Sequence, residues 1–230
     1  KYFPESFILF KPRDVVSGDF YWLSQVDENV IFVATADCTG HGVPGAFMSM
    51  IGNTLLNEIV ATKEVQSPAS ILSQLNAGII DALTKHTNSE DAQTDGMDIT
   101  LCKIDLHNNI IELATANHVL LVYSHNMMHV VEGNYESIGG IFSMRKAPEF
   151  KNVSIPIEPR MRIYMFSDGI QDQFGGPKNE KFTRARLEKL LLDTTSLPIK
   201  EQGKKVEQEF TVWKEGKAQL DDVLLLGIQF

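Results

Sequence analysis

Apolar residues along this chain fall into short runs separated by turn residues, and the period of the runs changes as the chain proceeds. "SFILF" (6 to 10), "FYWL" (20 to 23) and "VIFVATA" (30 to 36) are β-branched or aromatic and too short for helices, so they predict strands. "DEN" at 27 to 29 predicts the hairpin turn between the second and the third. From Val43 the pattern turns helical: Pro44 suits a first turn, and Phe47, Met50, Ile51, Leu55 and Ile59 recur at helical spacing. Phe47, Met48 and Met50 are expected in the core, with Leu56 and Val60 on the outer face. A second helix is predicted from Ser67 and Pro68, burying Ile71, Leu75, Ile79 and Leu83.

The polar stretch "KHTNSEDAQTDG" (85 to 96) has no period and reads as a loop. Four runs follow, "ITLCKIDL" (99 to 106), "IIELATA" (110 to 116), "VLLVYS" (119 to 124) and "MMHVV" (127 to 131), with short turns between them, which predicts a β-meander. "RIYMFSDG" (162 to 169) is a further strand ending in a turn. Helical patterns near 183 to 194 and 199 to 215 and a last strand, "VLLLGIQF" (223 to 230), complete the chain. Strands, two helices, strands, two helices, strand: the order predicts a layered α+β fold rather than an alternating parallel sheet.

Composition narrows the function classes. The 230 residues carry 21 basic and 30 acidic side chains, net charge -9, with no dense basic stripe, so nucleic acid is not an expected partner. No apolar run approaches the ~20 residues that span a bilayer, and no membrane contact is expected of this domain. Two cysteines outside any CxxC pair point to a reducing compartment, the cytoplasm. One domain over 1–230 is expected, and a start at Lys1 already reading into a strand suggests a piece excised from a longer protein, whose whole could be tethered to a membrane.

Four acidic positions each touch the end of an apolar strand: Asp19 before "FYWL", Asp37 after "VIFVATA", Asp168 after "RIYMFS", and Asp221-Asp222 before "VLLLGIQF". In antiparallel sheets such ends lie side by side, so these acids can converge on one rim. Clustered carboxylates repel unless a cation neutralises them, and hard oxygen donors suit Mg²⁺ or Mn²⁺. Two such ions can share a carboxylate and a water, which assigns Asp37 the bridging place. Each acid taken singly is also an ordinary turn former or helix cap.

The stretches "VVSGDFYW", "ADCTGHGVPGAFMSM", "DGMDITLCKID", "ATANH", "SIGG", "MFSDGIQDQFGG" and "DDVLLLGI", in that order, resemble the SpoIIE-like serine phosphatases, the bacterial branch of the metal-dependent type 2C protein phosphatases. The resemblance implies a four-layer αββα sandwich of two mainly antiparallel sheets with outer helix pairs, and a binuclear Mn²⁺ or Mg²⁺ site. It implies Asp37 as bridging and catalytic ligand, the Cys38 backbone carbonyl as a further ligand, and Asp19, Asp168 and Asp221 as the remaining acids, with Asp222 as the alternative to Asp221. Gly18, Gly40, Gly42, Gly139 and Gly140 match motif glycines, the last two beside the substrate. Two departures stand out: the family's "AGHNP"-like turn is "ANHVL" here, with Asn117 in place of a small residue, and Leu224 takes the place of a frequent hydroxyl.

Further candidates carry two readings each. His41 is a general acid or a turn histidine that supports its loop. Lys11 and Arg13 contact phosphate or are solvated surface. Asp98 holds a third metal or is an edge-strand acid. The activity implied is hydrolysis of phosphoserine or phosphothreonine on a protein, by direct attack of a metal-bridging hydroxide. The substrate implied is a phosphorylated STAS-type anti-sigma-factor antagonist, under an upstream sensor domain, with a homodimer left open. A sensor or dimer contact is expected to act by shifting the two central helices. The alternative is a pseudophosphatase that binds its partner without hydrolysis.

Overall fold

The structure is a computed structural model and describes residues 3–61, 67–84, 95–140 and 146–230. Of the polar stretch read as a loop, residues 85–94 lie outside the described residues. The chain forms two units. One comprises Val16–Val119 and Glu132–Ile157, the other Lys1–Val15, Leu120–Val131 and Glu158–Phe230.

The first unit is a six-stranded antiparallel sheet with two helices. Strands β2 (Phe20–Gln25), β3 (Val30–Cys38), β4 (Gly96–Asp105), β5 (Ile110–Ala116) and β9 (Val153–Pro156) lie in that order, and the two-residue β8 (Ile138–Gly139) pairs with β4. The β2–β3 hairpin closes as expected on 27 to 29, where the Asp27 carboxylate accepts the Asn29 and Val30 amides. Helices α1 (Gly42–Ala61) and α2 (Pro68–Thr84) cover one face of the sheet. Their core takes Phe20, Trp22, Phe32, Ala34, Ala36, Ile99, Leu101 and Ala114 from the strands, with Met48, Leu56, Ile71, Leu75 and Ile79 from the helices.

Helix α2 buries the expected stripe, with Leu83 at its margin. Helix α1 does not. Its buried positions are Gly42, Gly45, Met48, Gly52 and Leu56, while Phe47 and Met50 are 62% and 65% exposed. The reason is steric: a Cβ on Gly45 would stand 2.3 Å from the Gly40 carbonyl oxygen, and one on Gly52 would stand 2.6 Å from Met97. Small residues let the helix lie close to the sheet along that stripe, and Phe47 and Met50, off it, are exposed. Leu56 and Val60, expected outside, are respectively fully buried and packed against the core.

The second unit is a five-stranded sheet in the order β1 (Ser6–Lys11), β13 (Val223–Gln229), β10 (Arg162–Phe166), β6 (Val119–Ser124), β7 (Met127–Glu132). The expected meander is therefore divided: β4 and β5 belong to one sheet, β6 and β7 to the other. Local periodicity marks a strand without marking which sheet it joins. After β10 come a single helical turn, α3 (Gly169–Asp172), the short pair β11 (Phe174–Gly175) and β12 (Glu180–Lys181), and helices α4 (Arg184–Asp193) and α5 (Ile199–Lys214). Buried Arg162 donates to Gln229, Gln202 and the Leu197 carbonyl, and Gln202 also accepts from the Tyr164 hydroxyl, so this polar centre is hydrogen-bonded throughout. The α+β class of the expectation is what the structure shows, with antiparallel sheets and their helices.

Candidate active site

In the six-stranded unit, strand register places the acids. Phe20 pairs with Ala36, Ala36 with Ile99, and Ile99 with Ala116. These four belong to the rung that faces the helices. The next rung points the opposite way because side chains alternate along a strand. It holds Asp37 directly opposite Asp98, with Asp19 immediately before β2 and Asn117 immediately after β5. Asp19 is 4% exposed, and its amide donates to the Ser17 hydroxyl. Strand β4 lies in the interior of its sheet, so Asp98 is not an edge-strand acid.

The loop after Asp37 is held by close contacts. A Cβ on Gly18 would stand 2.5 Å from the Gly40 carbonyl oxygen and 3.3 Å from that of Cys38, so Gly18 allows these two carbonyls to approach. The Thr39 amide and hydroxyl both donate to the Gly96 carbonyl, which fastens the loop to the start of β4. His41 is exposed between Gly40 and Gly42, both with positive φ. Gly139 and Gly140 also have positive φ, and their amides are engaged by the Asn76 side chain and the Asp95 carbonyl.

Asp98 accepts from the Ser137 hydroxyl at 2.5 Å and from the Asn117 amide at 2.8 Å. Burial nevertheless raises its pKa above the usual carboxylate value, with the two hydrogen bonds opposing. Asn117 has φ 49, a left-handed conformation that asparagine tolerates far better than most residues, which explains how it can replace a small one. The neighbouring His118 faces Thr100, with Nδ1 3.1 Å from the hydroxyl, and desolvation pushes its pKa down to about 4. Sequence reasoning missed Ser137 and Asn76 as supporting residues, because each reaches its partner across the fold, 39 and 63 residues away along the chain.

In the five-stranded unit the acids stand off the strand ends. Asp168 follows β10, and Asp221 and Asp222 precede β13, its antiparallel neighbour. Ser167 and Leu224 bind each other reciprocally, Ser167 N–H to the Leu224 carbonyl and Leu224 N–H to the Ser167 hydroxyl, both at 2.9 Å. A Cβ on Gly169 would stand 1.9 Å from the Asp222 carbonyl oxygen, so the two turns touch backbone to backbone. Asp168 occupies the N-cap of α3, yet its side chain makes no capping hydrogen bond, so the cap reading of this acid is not realised. Asp222 is buried and accepts the Arg13 amide at 2.7 Å, whereas Asp221 is exposed. The Arg13 guanidinium donates to the Leu220 carbonyl, and Lys11 pairs with Glu207 at 2.7 Å.

The donors in both units are hard oxygens of the kind that Mg²⁺ and Mn²⁺ take, and the crowded carbonyls of Cys38 and Gly40 beside Gly18 add backbone donors to them. The fit is one of donor chemistry: among the described residues no three of His, Cys, Asp and Glu form a ready-made cage. Both cysteines are buried and neither is in a disulfide, and burial pushes Cys102 up to about 12, which keeps it a thiol. No helix among the described residues is long and apolar enough to cross a membrane.

Comparison with known proteins places this geometry. The SiaA PP2C domain of Pseudomonas aeruginosa superposes with TM-score 0.86 at 27% identity, over 98% of this chain and 86% of that one. The PP2C phosphatase domain of SpoIIE from Bacillus subtilis, solved with a fragment of its regulatory domain, gives 0.74 at 18% identity, over 98% of this chain; this chain spans 63% of it. RsbX, solved in complex with magnesium, gives 0.63 at 15% identity, over 98% of this chain and 94% of that one. No curated protein matches the sequence. The family model for stage II sporulation protein E matches residues 27–230, so with the PP2C fold and its metal-dependent family the chain belongs to the SpoIIE phosphatases.

Proposed function

We propose that this chain is a metal-dependent protein serine/threonine phosphatase. The observation that carries the reading is the pair Asp37 and Asp98, directly opposed by the β3–β4 register, with Asp19 buried immediately before β2. Such a rung of like charges is unfavourable in a fold unless a cation belongs with it. Asp37 is assigned the bridging ligand, with Asp19, the Cys38 carbonyl, Asp168 and Asp221 as further ligands. Two Mn²⁺ or Mg²⁺ ions, when bound, activate water and neutralise charge on a phosphoryl group. The chain's own part is to orient the carboxylates by strand register and to keep the Cys38 and Gly40 carbonyls close to Gly18.

The substrate proposed is a phosphoserine or phosphothreonine on a regulatory protein of STAS type, in the cytoplasm, with activity set by an upstream sensor domain. The buried cysteines, neither in a disulfide, support a reducing compartment, and the SpoIIE structure that contains part of a regulatory domain supports control from outside this domain. One observation favours the rival reading, a pseudophosphatase: no three side-chain donors among the described residues form a cage. Hydrolysis of p-nitrophenyl phosphate with Mn²⁺, with EDTA, and by Asp37→Asn decides between them. The enzyme reading expects turnover only in the first case; turnover that survives EDTA, or none in any condition, overturns it.

A further inference from the structure

Both carboxylate oxygens of Asp98 accept hydrogen bonds, and the donors come from two separate segments. Ser137 precedes β8 and reaches Oδ1 at 2.5 Å, a length typical of a charge-assisted O–H···O⁻ bond. Asn117 follows β5 and reaches Oδ2 at 2.8 Å. The left-handed turn at 117 would be satisfied equally by glycine, so the backbone alone does not require an amide side chain there. Its contribution is the hydrogen bond to Asp98.

We propose that Asn117 and Ser137 are positioning residues, a clamp that fixes the Asp98 carboxylate beside Asp37 as an outer partner of the metal centre rather than a ligand, and that ties residues 137–140 to it. This role rests on the metal-dependent reading above. Asp98 and Asp37 are directly opposed residues of neighbouring strands, about 5 Å apart at Cα, where two carboxylates repel. Two donors on Asp98 spread its charge and hold its oxygens, which eases its repulsion of Asp37. The same bonds reach beyond the rung. Ser137 is followed at once by the Ile138–Gly139 strand, whose Gly139 amide binds Asn76 and whose neighbour Gly140 binds the Asp95 carbonyl. Outer partners of metal ligands typically cost about 10- to 100-fold in metal affinity when removed.

The test is a Mn²⁺ titration by calorimetry of the wild type and of Asn117→Gly, Ser137→Ala, Ser137→Thr and Asp98→Asn. Asn117→Gly and Ser137→Ala are expected to bind Mn²⁺ about tenfold more weakly with the same number of ions, and Ser137→Thr, which keeps the hydroxyl, to recover most of the affinity. Loss of a bound ion in Asp98→Asn makes Asp98 a ligand and overturns the proposal, as does unchanged affinity in both clamp variants. A second arm needs no metal. In the metal-free protein, the Gly139 and Gly140 amides are expected to exchange with solvent about tenfold faster in Ser137→Ala than in the wild type. Unchanged exchange overturns the clamp. If the wild type binds no Mn²⁺, the metal-dependent reading falls, and exchange alone decides the clamp.

Discussion

The acids of the two units are held in different ways. In the six-stranded unit Asp37 and Asp98 occupy neighbouring strands at one rung, so the hydrogen-bond ladder itself sets their spacing and direction, and Asp19 sits one residue before β2. In the five-stranded unit Asp168, Asp221 and Asp222 lie on turns just off β10 and β13, and their placement depends on the backbone contact at Gly169 and on hydrogen bonds to Ser167 and Arg13. A ladder tolerates a change of side chain because the backbone does the holding. A turn packed at a single glycine does not. Preorganisation by register should therefore be robust, and preorganisation by close contact brittle.

The sharpest break of this contrast is expected at Asp37. Asp37→Asn should remove all measurable phosphatase turnover while the thermal midpoint stays close to that of the wild type, since the ladder is untouched; a collapse of the fold would mean that the rung is structural. Next comes Gly169→Ala, where a methyl 1.9 Å from a backbone oxygen forces the turns apart. It should cost about 3 kcal/mol in urea unfolding, the upper end for overpacking, and lower activity with it. A loss below about 1 kcal/mol would show that this turn yields easily, contrary to the contrast drawn here.

A smaller effect is expected from pH. The folded state resists protonating His118 down to about 4, whereas the unfolded chain takes that proton near 6.5. The unfolded state thus binds more protons between these values, and stability falls as pH drops through that window, by about 2 kcal/mol from pH 7 to pH 5. His118→Gln should flatten that part of the profile; an unchanged slope would assign it to other groups. The smallest effect belongs to Lys11. Its ion pair with Glu207 is partly exposed, so Lys11→Ala should change stability by about 1 kcal/mol or less. A several-fold rise in KM for a phosphoprotein would show that Lys11 also serves substrate.

The strands and helices of ordinary length were legible because their periods are clean. Helices α4 and α5 and strands β1 to β7, β10 and β13 lie where the apolar pattern puts them, within a few residues. Strands β8, β11 and β12, each two residues long, the four-residue β9 and the single turn α3 are too short to carry a period. The face of α1 was misread in part for a physical reason: three of its five buried positions are Gly42, Gly45 and Gly52, which have no hydrophobic signature. The acids themselves were visible at strand ends. That Asp98 stands opposite Asp37, and that Asn117 and Ser137 hold it, depends on the pairing of β3, β4 and β5, which no local stretch encodes.

The alternation of β3 and β4 also has a genetic consequence. On these strands Ala36 and Ile99 face the helices while Asp37, one residue after Ala36, and Asp98, one residue before Ile99, face away. Loss or gain of a single codon within either strand would exchange those faces, drive a carboxylate into the apolar core and lift an alanine or isoleucine into its place. Substitutions can explore this pair of strands one side chain at a time, but changes of length cannot. Lineages that carry the same rung should therefore differ in length at turns such as 27 to 29 or 107 to 109, with the runs 30–38 and 96–105 copied at constant length.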